Sequence, residues 1–423
     1  MRKIIMFNFI VMLLVLVSIP YFSDIAHGSE GKIISADLVS PAGFDLPVIL
    51  DQNLSVSIIA DGLKFPTAMD FIGNNILVLE KNGDVRLIKD KILIEEPILK
   101  LKVDEWRENG LFGILVKEND VYLRYSTLNE DNESRTNWIY KYQWSNEKLI
   151  EPVLIKNTPA GVIHNGGPMI LDSQGNILTI IGDIDEPKKG PFQNQIGGKI
   201  SDTGVILSIE PVEEYYAIGI RNGYGLALDP ITGFIWDTEN GPAFYDEINL
   251  VEKGFNSGSD KISGHSKNEF EKISAFSENI FLPERWYNLF VQILKGNDVF
   301  SNFNSEYGKF QYSEPEFTWV TPVSPTSIHF IQSPKFIQYN NSVLVGDFNT
   351  GSLYKFNLNE NRDGFVFETN ELQDLILHDG DKNDEILFGQ GFAGITDIKK
   401  GPDDNLYITS IGSGTIFKIE PKN

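Results

Sequence analysis

The chain has 423 residues, with 36 Lys plus Arg against 59 Asp plus Glu, a formal net charge of -23, and 41% hydrophobic and 12% aromatic residues, a globular rather than a disordered composition. That acidic balance excludes gripping nucleic acid or another polyanion, because phosphate contacts need clustered Lys and Arg. The absence of cysteine removes disulfides, thiolate metal sites and cysteine nucleophiles together.

At the N-terminus, Arg2 and Lys3 precede an uncharged run from Ile4 to Ser23, and Ala26-His27-Gly28 offers small residues at the spacing a signal peptidase reads. Residues 1–28 therefore read as a signal peptide or, since about 20 apolar residues span a hydrocarbon core, as an N-terminal membrane anchor. Either reading places the body outside the cytoplasm, secreted or membrane-anchored, with membrane contact only through that segment. Residues 29–50 follow as a linker and 51–423 as one β-domain. Sequons at Asn53, Asn132 and Asn340 agree with an exported surface.

After residue 50 one pattern returns: an apolar run alternating with period two, a polar Gly, Asn or Asp turn, and further alternating runs. The copies are Pro66–Ile88, Gly167–Asp183, Gly223–Pro242, Pro334–Leu358 and Gly394–Pro421, with a weaker one in Gly110–Ser126 followed by Trp138–Trp144. Equivalent positions at Thr67, Leu111, Pro168, Tyr224, Lys335 and Ile395 give spacings of 44, 57, 56, 111 and 60 residues. Each copy is an antiparallel meander that cannot bury both its faces alone, and radial stacking around an axis solves that. The fold class is all-β, a six-bladed β-propeller of four-stranded antiparallel blades. The long fourth interval holds either one blade with an insertion, centred on the polar stretch Asn256–Ser305, or a seventh blade; its irregular pattern favours the insertion.

Several turns carry residues able to do chemistry. His164 lies in Ile163-His-Asn-Gly-Gly, just before a blade's innermost strand, where propeller turns face the central channel; an imidazole there either holds the turn by bonding backbone or takes a hydroxyl proton near neutral pH. Arg221 and Asn222 begin another blade, either pairing with a neighbouring carboxylate or acting as preorganised donors. Glu239-Asn-Gly-Pro followed by Asp246 and Glu247 mixes turn residues with hard oxygen ligands, which suits calcium or a solvated acidic loop. Asp172, Asp229 and Asp403 sit in turns that Asp closes by accepting backbone amides, and Trp236 reads as core. No Ser-His-Asp set, His-Glu-x-x-His or phosphate loop occurs.

The segment Arg221–Asn256, with Gly62–Phe71, Asn109–Gly113, His164–Gly167, Gly182-Asp183 and Gly401–Ile408, resembles the soluble glucose and sorbosone dehydrogenases, or aldose sugar dehydrogenases, over about Ser57 to Pro421. The resemblance implies a quinoprotein that oxidises the anomeric hydroxyl of an aldose to a lactone, with pyrroloquinoline quinone (PQQ) and calcium as cofactors. Its partners would be a small sugar substrate and an unidentified electron acceptor. By that resemblance His164 is the base, and Arg221 both stabilises charge on the quinone and, with Asn222 and Glu108, contacts it. The carbonyls of Gly241 and Pro242 would hold calcium, and Asp246 and Glu247 would support the turn or a second ion. The chain departs from the family in three respects, the first being that Asn256-Ser-Gly-Ser stands where the usual G-x-N-Y-G-W-P ends in aromatic residues. Glu108 replaces a Gln, and Asn349, Gly394 and Thr396 stand where cations for the quinone carboxylates are usual. A propeller that binds carbohydrate or protein without catalysis is the alternative. If the export reading holds, N-terminal sequencing of the mature protein should begin after about Gly28; intact protein starting at Met1 in the cytosol would sink it.

Overall fold

The second strand of each repeat is almost wholly apolar, and runs such as Ile177–Ile181 and Leu406–Ser410 are buried along their full length. Such strands are covered on both faces, so each must lie between two further layers. The computed structural model describes residues 46–130, 134–184, 200–242, 244–259, 262–265 and 309–422. The N-terminal segment read as a signal or anchor lies outside the described residues.

These residues form six sheets. Blade 1 runs Pro66–Ile72, Asn75–Glu80, Asp84–Lys89 and Ile92–Leu93, and blade 2 runs Leu111–Lys117, Asp120–Leu128, Arg135–Ser145 and Lys148–Ala160. Blade 3 comprises Met169–Leu171, Ile177–Ile181, Val205–Glu210 and Glu214–Ile218. Blade 4 comprises Gly223–Leu228, Ile235–Glu239, Asp246–Val251 and Phe317–Trp319. Blade 5 contains Pro325–Phe330, Ser342–Asp347, Leu353–Leu358 and Leu387–Gln390, and Val48–Ile49 pairs on its outer edge. Blade 6 begins with Ile395–Lys400, Leu406–Ser410 and Thr415–Pro421, and its outer strand is Leu54–Ala60 from the start of the domain. The first strands of successive blades touch in a closed ring, with blade 6 against blade 1.

Each blade interface carries its own apolar cluster, for example Trp236, Phe317 and Trp319 of blade 4 against Phe330 and Phe356 of blade 5, or Met69 and Val78 of blade 1 against Ile416 of blade 6. Near the axis the interfaces are sewn by one repeated device. Thr67, Thr326 and Thr396, each second in an innermost strand, donate to the first carbonyl of the next such strand, at Leu111, Ile395 and Pro66. A cavity of about 380 Å³ remains between the innermost strands, touching Thr67, Phe112, Pro168, Tyr224, Ile328 and Thr396.

The six-bladed expectation holds, and the long interval is an insertion: it separates the third strand of blade 4 from its fourth, Phe317–Trp319. The fifth repeat needs correction. Its innermost strand is Pro325–Phe330, and Ile337–Tyr339 is a 3-10 turn leading to the second strand, so the copy placed at Pro334 began one element late. Blades 3 and 4 also exceed four strands, because Phe255–Asn256 and Ile376–Leu377 add in parallel. The turn aspartates behave as read: Asp172 accepts the amides of Gln174 and Asn176 at 2.8 and 2.9 Å.

Asp229 does more than close its turn. It takes a two-pronged ion pair from Arg362 of blade 5 at 2.7 and 2.9 Å, with both side chains buried. Arg362→Met leaves that carboxylate without its counter-ion and should cost about 3 kcal/mol or more in denaturant unfolding. Adding Asp229→Asn should recover much of the loss.

Candidate functional site

The innermost strands all start on the same face of the ring. The loops that enter them and the turns joining second to third strands therefore share that face. His164 lies in the loop entering blade 3, Glu108 in the loop entering blade 2, and Arg221 and Asn222 in the loop entering blade 4. Asp183 follows the second strand of blade 3; Glu239 ends the corresponding strand of blade 4, and Asn240 and Gly241 follow it.

His164 is held in a left-handed backbone conformation, φ 59°, with its side chain buried. Its Nδ1 stands 2.7 Å from Asp183 Oδ1, a carboxylate–imidazole pair that fixes the ring and leaves Nε2 as the basic nitrogen. The preceding Gly182 permits this approach: a Cβ there would meet the His164 carbonyl at 2.2 Å and the Arg221 carbonyl at 2.9 Å. Asp183 also donates its amide to the Arg221 carbonyl at 2.8 Å, locking the two loops together.

Glu108 knots three elements. Its Oε2 accepts the His164 amide at 2.5 Å, the Tyr224 hydroxyl at 2.7 Å and the Asn222 amide group at 3.3 Å. Burial and this carboxylate hold the Tyr224 hydroxyl well above its usual pKa, so it stays a donor. Beneath the same turn lies the buried guanidinium of Arg124. It donates to the carbonyls of Asn165, at 2.7 Å, and Ile180, and to the Thr179 hydroxyl at 2.9 Å. Desolvation pushes the Arg124 pKa down to about 9, which still leaves it charged at neutral pH.

Arg221 donates its amide to Glu239 Oε2 at 2.7 Å, and its Nη1 reaches the carbonyls of Asn240 and Gly241 at 2.6 and 2.8 Å. The two carbonyls that converge are thus those of Asn240 and Gly241. Pro242, whose carbonyl was expected with that of Gly241 to hold calcium, is exposed and lies outside this pair of Arg221 contacts. The carboxylates expected with them separate. Asp246 accepts the amides of Gly241 and Ser324 at 2.8 and 2.7 Å and so supports the turn. Glu247, one residue on, projects to the other face of its strand, opposite Glu239, and accepts the Gly264 amide. Among the described residues no group of three His, Asp or Glu side chains is placed to share a metal ion. Asn349 is exposed and donates to the Pro322 carbonyl, while the Thr396 hydroxyl is spent between blades.

Sequence reasoning gave Asp183 no role, named Glu239 only at the head of the turn read for calcium, and missed Arg124 and the hydroxyl of Tyr224. Arg124 carried a signal, a cation inside the apolar alternation Val121–Tyr125. Glu239 ends a strand that is buried throughout.

Burial raises the carboxyl of Glu239 to about 7, with nearby Asp183 adding to the shift, and burial raises Asp246 to about 6. A carboxyl whose folded pKa is raised stabilises the fold while protonated, and that contribution is lost as pH climbs through the folded value. The melting temperature should therefore fall between about pH 5 and pH 8, and Glu239→Gln should flatten the decline.

A family profile described as glucose/sorbosone dehydrogenase matches residues 63–280. The chain is 23% identical over 396 residues to aldose sugar dehydrogenase YliI of Escherichia coli strain K12, covering 88% of this chain and 94% of that protein. It is 24% identical over 260 residues to quinoprotein glucose dehydrogenase B of Acinetobacter calcoaceticus, covering 51% of this chain and 54% of that one. Among solved structures, the apo-form soluble aldose sugar dehydrogenase of Escherichia coli superposes with TM-score 0.63 at 18% identity, covering 87% of this chain and all (100%) of that one. The PQQ-bound aldose sugar dehydrogenase of Streptomyces coelicolor gives 0.58 at 18% identity, covering 89% and 100%. At these identities the superpositions bear on the fold.

Proposed function

This chain belongs to the glucose/sorbosone dehydrogenase family, and from that premise we propose that it is an exported PQQ-dependent dehydrogenase that oxidises the anomeric hydroxyl of aldoses to lactones. The observation that carries the reading is the His164–Asp183 pair at 2.7 Å beside Arg221 and Asn222. Among the described residues no other histidine in the buried class pairs with a carboxylate.

The residues present fit the cofactors at this end of the channel. The side-chain oxygens of Asn222 and Asn240 are buried and lack a partner, and the Arg221 guanidinium stands in for a cation on the carbonyls of Asn240 and Gly241. Those carbonyls would hold calcium, and Arg221 and Asn222 would hold the quinone. When bound, the quinone supplies a two-electron acceptor for hydride. Asp183, accepting the Nδ1 proton, keeps His164 in the tautomer whose Nε2 can take the anomeric hydroxyl proton. Glu108, by accepting the His164 amide, holds that base in its left-handed turn. Arg221 places positive charge where negative charge develops. The work outside the cytoplasm that export implies is part of the same proposal.

A second reading, a propeller that binds carbohydrate without oxidising it, is favoured by one observation: the loop segments 346–351 and 393–396, which hold Asn349, Gly394 and Thr396, contain no Lys or Arg to meet the quinone carboxylates, and Asn349 and Thr396 bond to backbone carbonyls. Reconstitution separates the two. With quinone and calcium, the wild type should reduce an artificial dye when given aldoses. His164→Ala should lose about a hundredfold or more in turnover with its melting temperature kept, and Asp183→Asn should lose somewhat less. Arg221→Ala should lower both turnover and quinone affinity. A wild type that neither binds the quinone nor oxidises any of a broad aldose panel establishes the second reading instead.

A further inference from the structure

We propose that the central channel, entered from the face opposite His164, is a binding site for an amphipathic monocarboxylate, whose acid head meets Lys399 and His329 and whose apolar tail runs up the axis. The innermost strands begin on the site face and end on the opposite one, so the residues that end them mark the far mouth. Exposed Pro230, Gln332 and Lys400 border the cavity of about 380 Å³ at that mouth, and Thr67, Phe112 and Tyr224 border it at the other end, beneath the site. Because it touches both Thr396 and Lys400, the cavity follows about 13 Å of strand at about 3.3 Å per residue.

Two polar groups lining this channel have no partner among the described residues. Lys399, half-buried on the innermost strand of blade 6, makes no hydrogen bond or ion pair there. The two carboxylates whose charge reaches it are spent on backbone amides: Asp397 accepts from Met69 and Ile398 at 3.0 and 2.9 Å, and Asp70 from Phe71 and Val116 at 2.8 and 2.7 Å. Against the desolvation that burial brings, Asp397 and Asp70 hold the ammonium above its ordinary pKa, so it stays charged. Lys400 is already tied down, donating to the Gln332 carbonyl at 3.0 Å and pairing with Asp404 at 3.5 Å. His329, on the neighbouring innermost strand of blade 5, lines the same cavity, and its Nε2 is buried without a partner. Burial, then Lys399 and Lys400, push this imidazole down to about 3, so the ring is neutral. The positive field that keeps a proton off His329 is one in which a carboxylate is stabilised, and an acceptor placed there recovers the cost of leaving such groups unpaired.

The rest of the wall selects the occupant. On the side of blades 2 to 4 the lining carries no charged side chain and includes Ile114, Met169, Ile170, Leu226 and Leu228. An apolar wall opposite one unpaired ammonium fits an apolar body with a single charge at one end. With Asp70 and Asp397 close by and a net charge of -23, a dianion or a longer polyanion meets repulsion. The inference stands apart from the aldose-oxidation reading, since none of Lys399, His329 and the apolar wall belongs to the His164 site.

The test is calorimetric titration of the full chain with butyrate, hexanoate and octanoate, with octanol and octylamine as uncharged and cationic controls. Affinity should rise about tenfold or more from butyrate to octanoate, because each added methylene leaves water for the apolar wall. Octanol and octylamine should bind about tenfold or more weaker than octanoate. Lys399→Met should lose about tenfold or more in octanoate affinity, and Lys399→Arg should keep it. Crystals of the wild type soaked in ω-bromooctanoate should place the bromine between the innermost strands, an arm that holds even where Lys399→Met fails to fold. Four outcomes overturn the site: no octanoate binding at millimolar concentration, octanol binding as well as octanoate, full affinity in Lys399→Met, or bromine found only outside the channel. Aldose oxidation, present or absent, changes none of these readings.

Discussion

Antiparallel pairing of Leu54–Ala60 with Thr415–Pro421 joins the two ends of the domain in one sheet, with Leu54 opposite Pro421 and Ile58 opposite Phe417. Without it blade 6 would end on an open edge, and the cluster of Ile59, Met69, Val78 and Ile416 between blades 6 and 1 would face water. With no disulfide available, ring closure rests on this ladder, on the six interface clusters and on the threonine stitches near the axis. The site inherits its geometry from closure. Glu108, His164 and Arg221 enter from three successive blades, so no blade folded alone would contain it.

Within that frame the site is held by carboxylates accepting from backbone amides. Glu108 takes the His164 amide, Glu239 the Arg221 amide, and Asp246 those of Gly241 and Ser324. A buried carboxylate used this way ties loops together by charge-assisted bonds, but burial favours its protonated form, which is why Glu239 and Asp246 titrate high. Arg124 offsets part of the negative charge from below, through carbonyls rather than through an ion pair. The outcome is a rigid floor under His164, with Arg221 as the cation at the mouth.

The period-two alternation and the glycine-rich turns made the meanders legible, because strand pairing and turn geometry are set by residues a few positions apart. The fifth repeat was misplaced for the same local reason: Phe336–Tyr339 is as apolar as a strand, yet a buried Phe336 anchors a 3-10 turn there. His164, Arg221 and Asn222 were found because their loops precede legible strands. Asp183 was visible in the sequence only as half of the Gly182-Asp183 match to the family.

The sequence alone therefore determined the all-β class, the repeated meander and the loops that would face the channel, and it favoured an insertion in the long fourth interval over a seventh blade. It could not pair His164 with Asp183 or Glu108 with Tyr224, separate Asp246 from Glu247, or show that the Arg221 guanidinium meets the carbonyls of Asn240 and Gly241. Those outcomes belong to the tertiary structure, because each is a contact between groups brought together by different blades or turned to opposite faces of one strand. Spacing along the chain fixes a strand's two faces, but only the closed ring decides what each face meets.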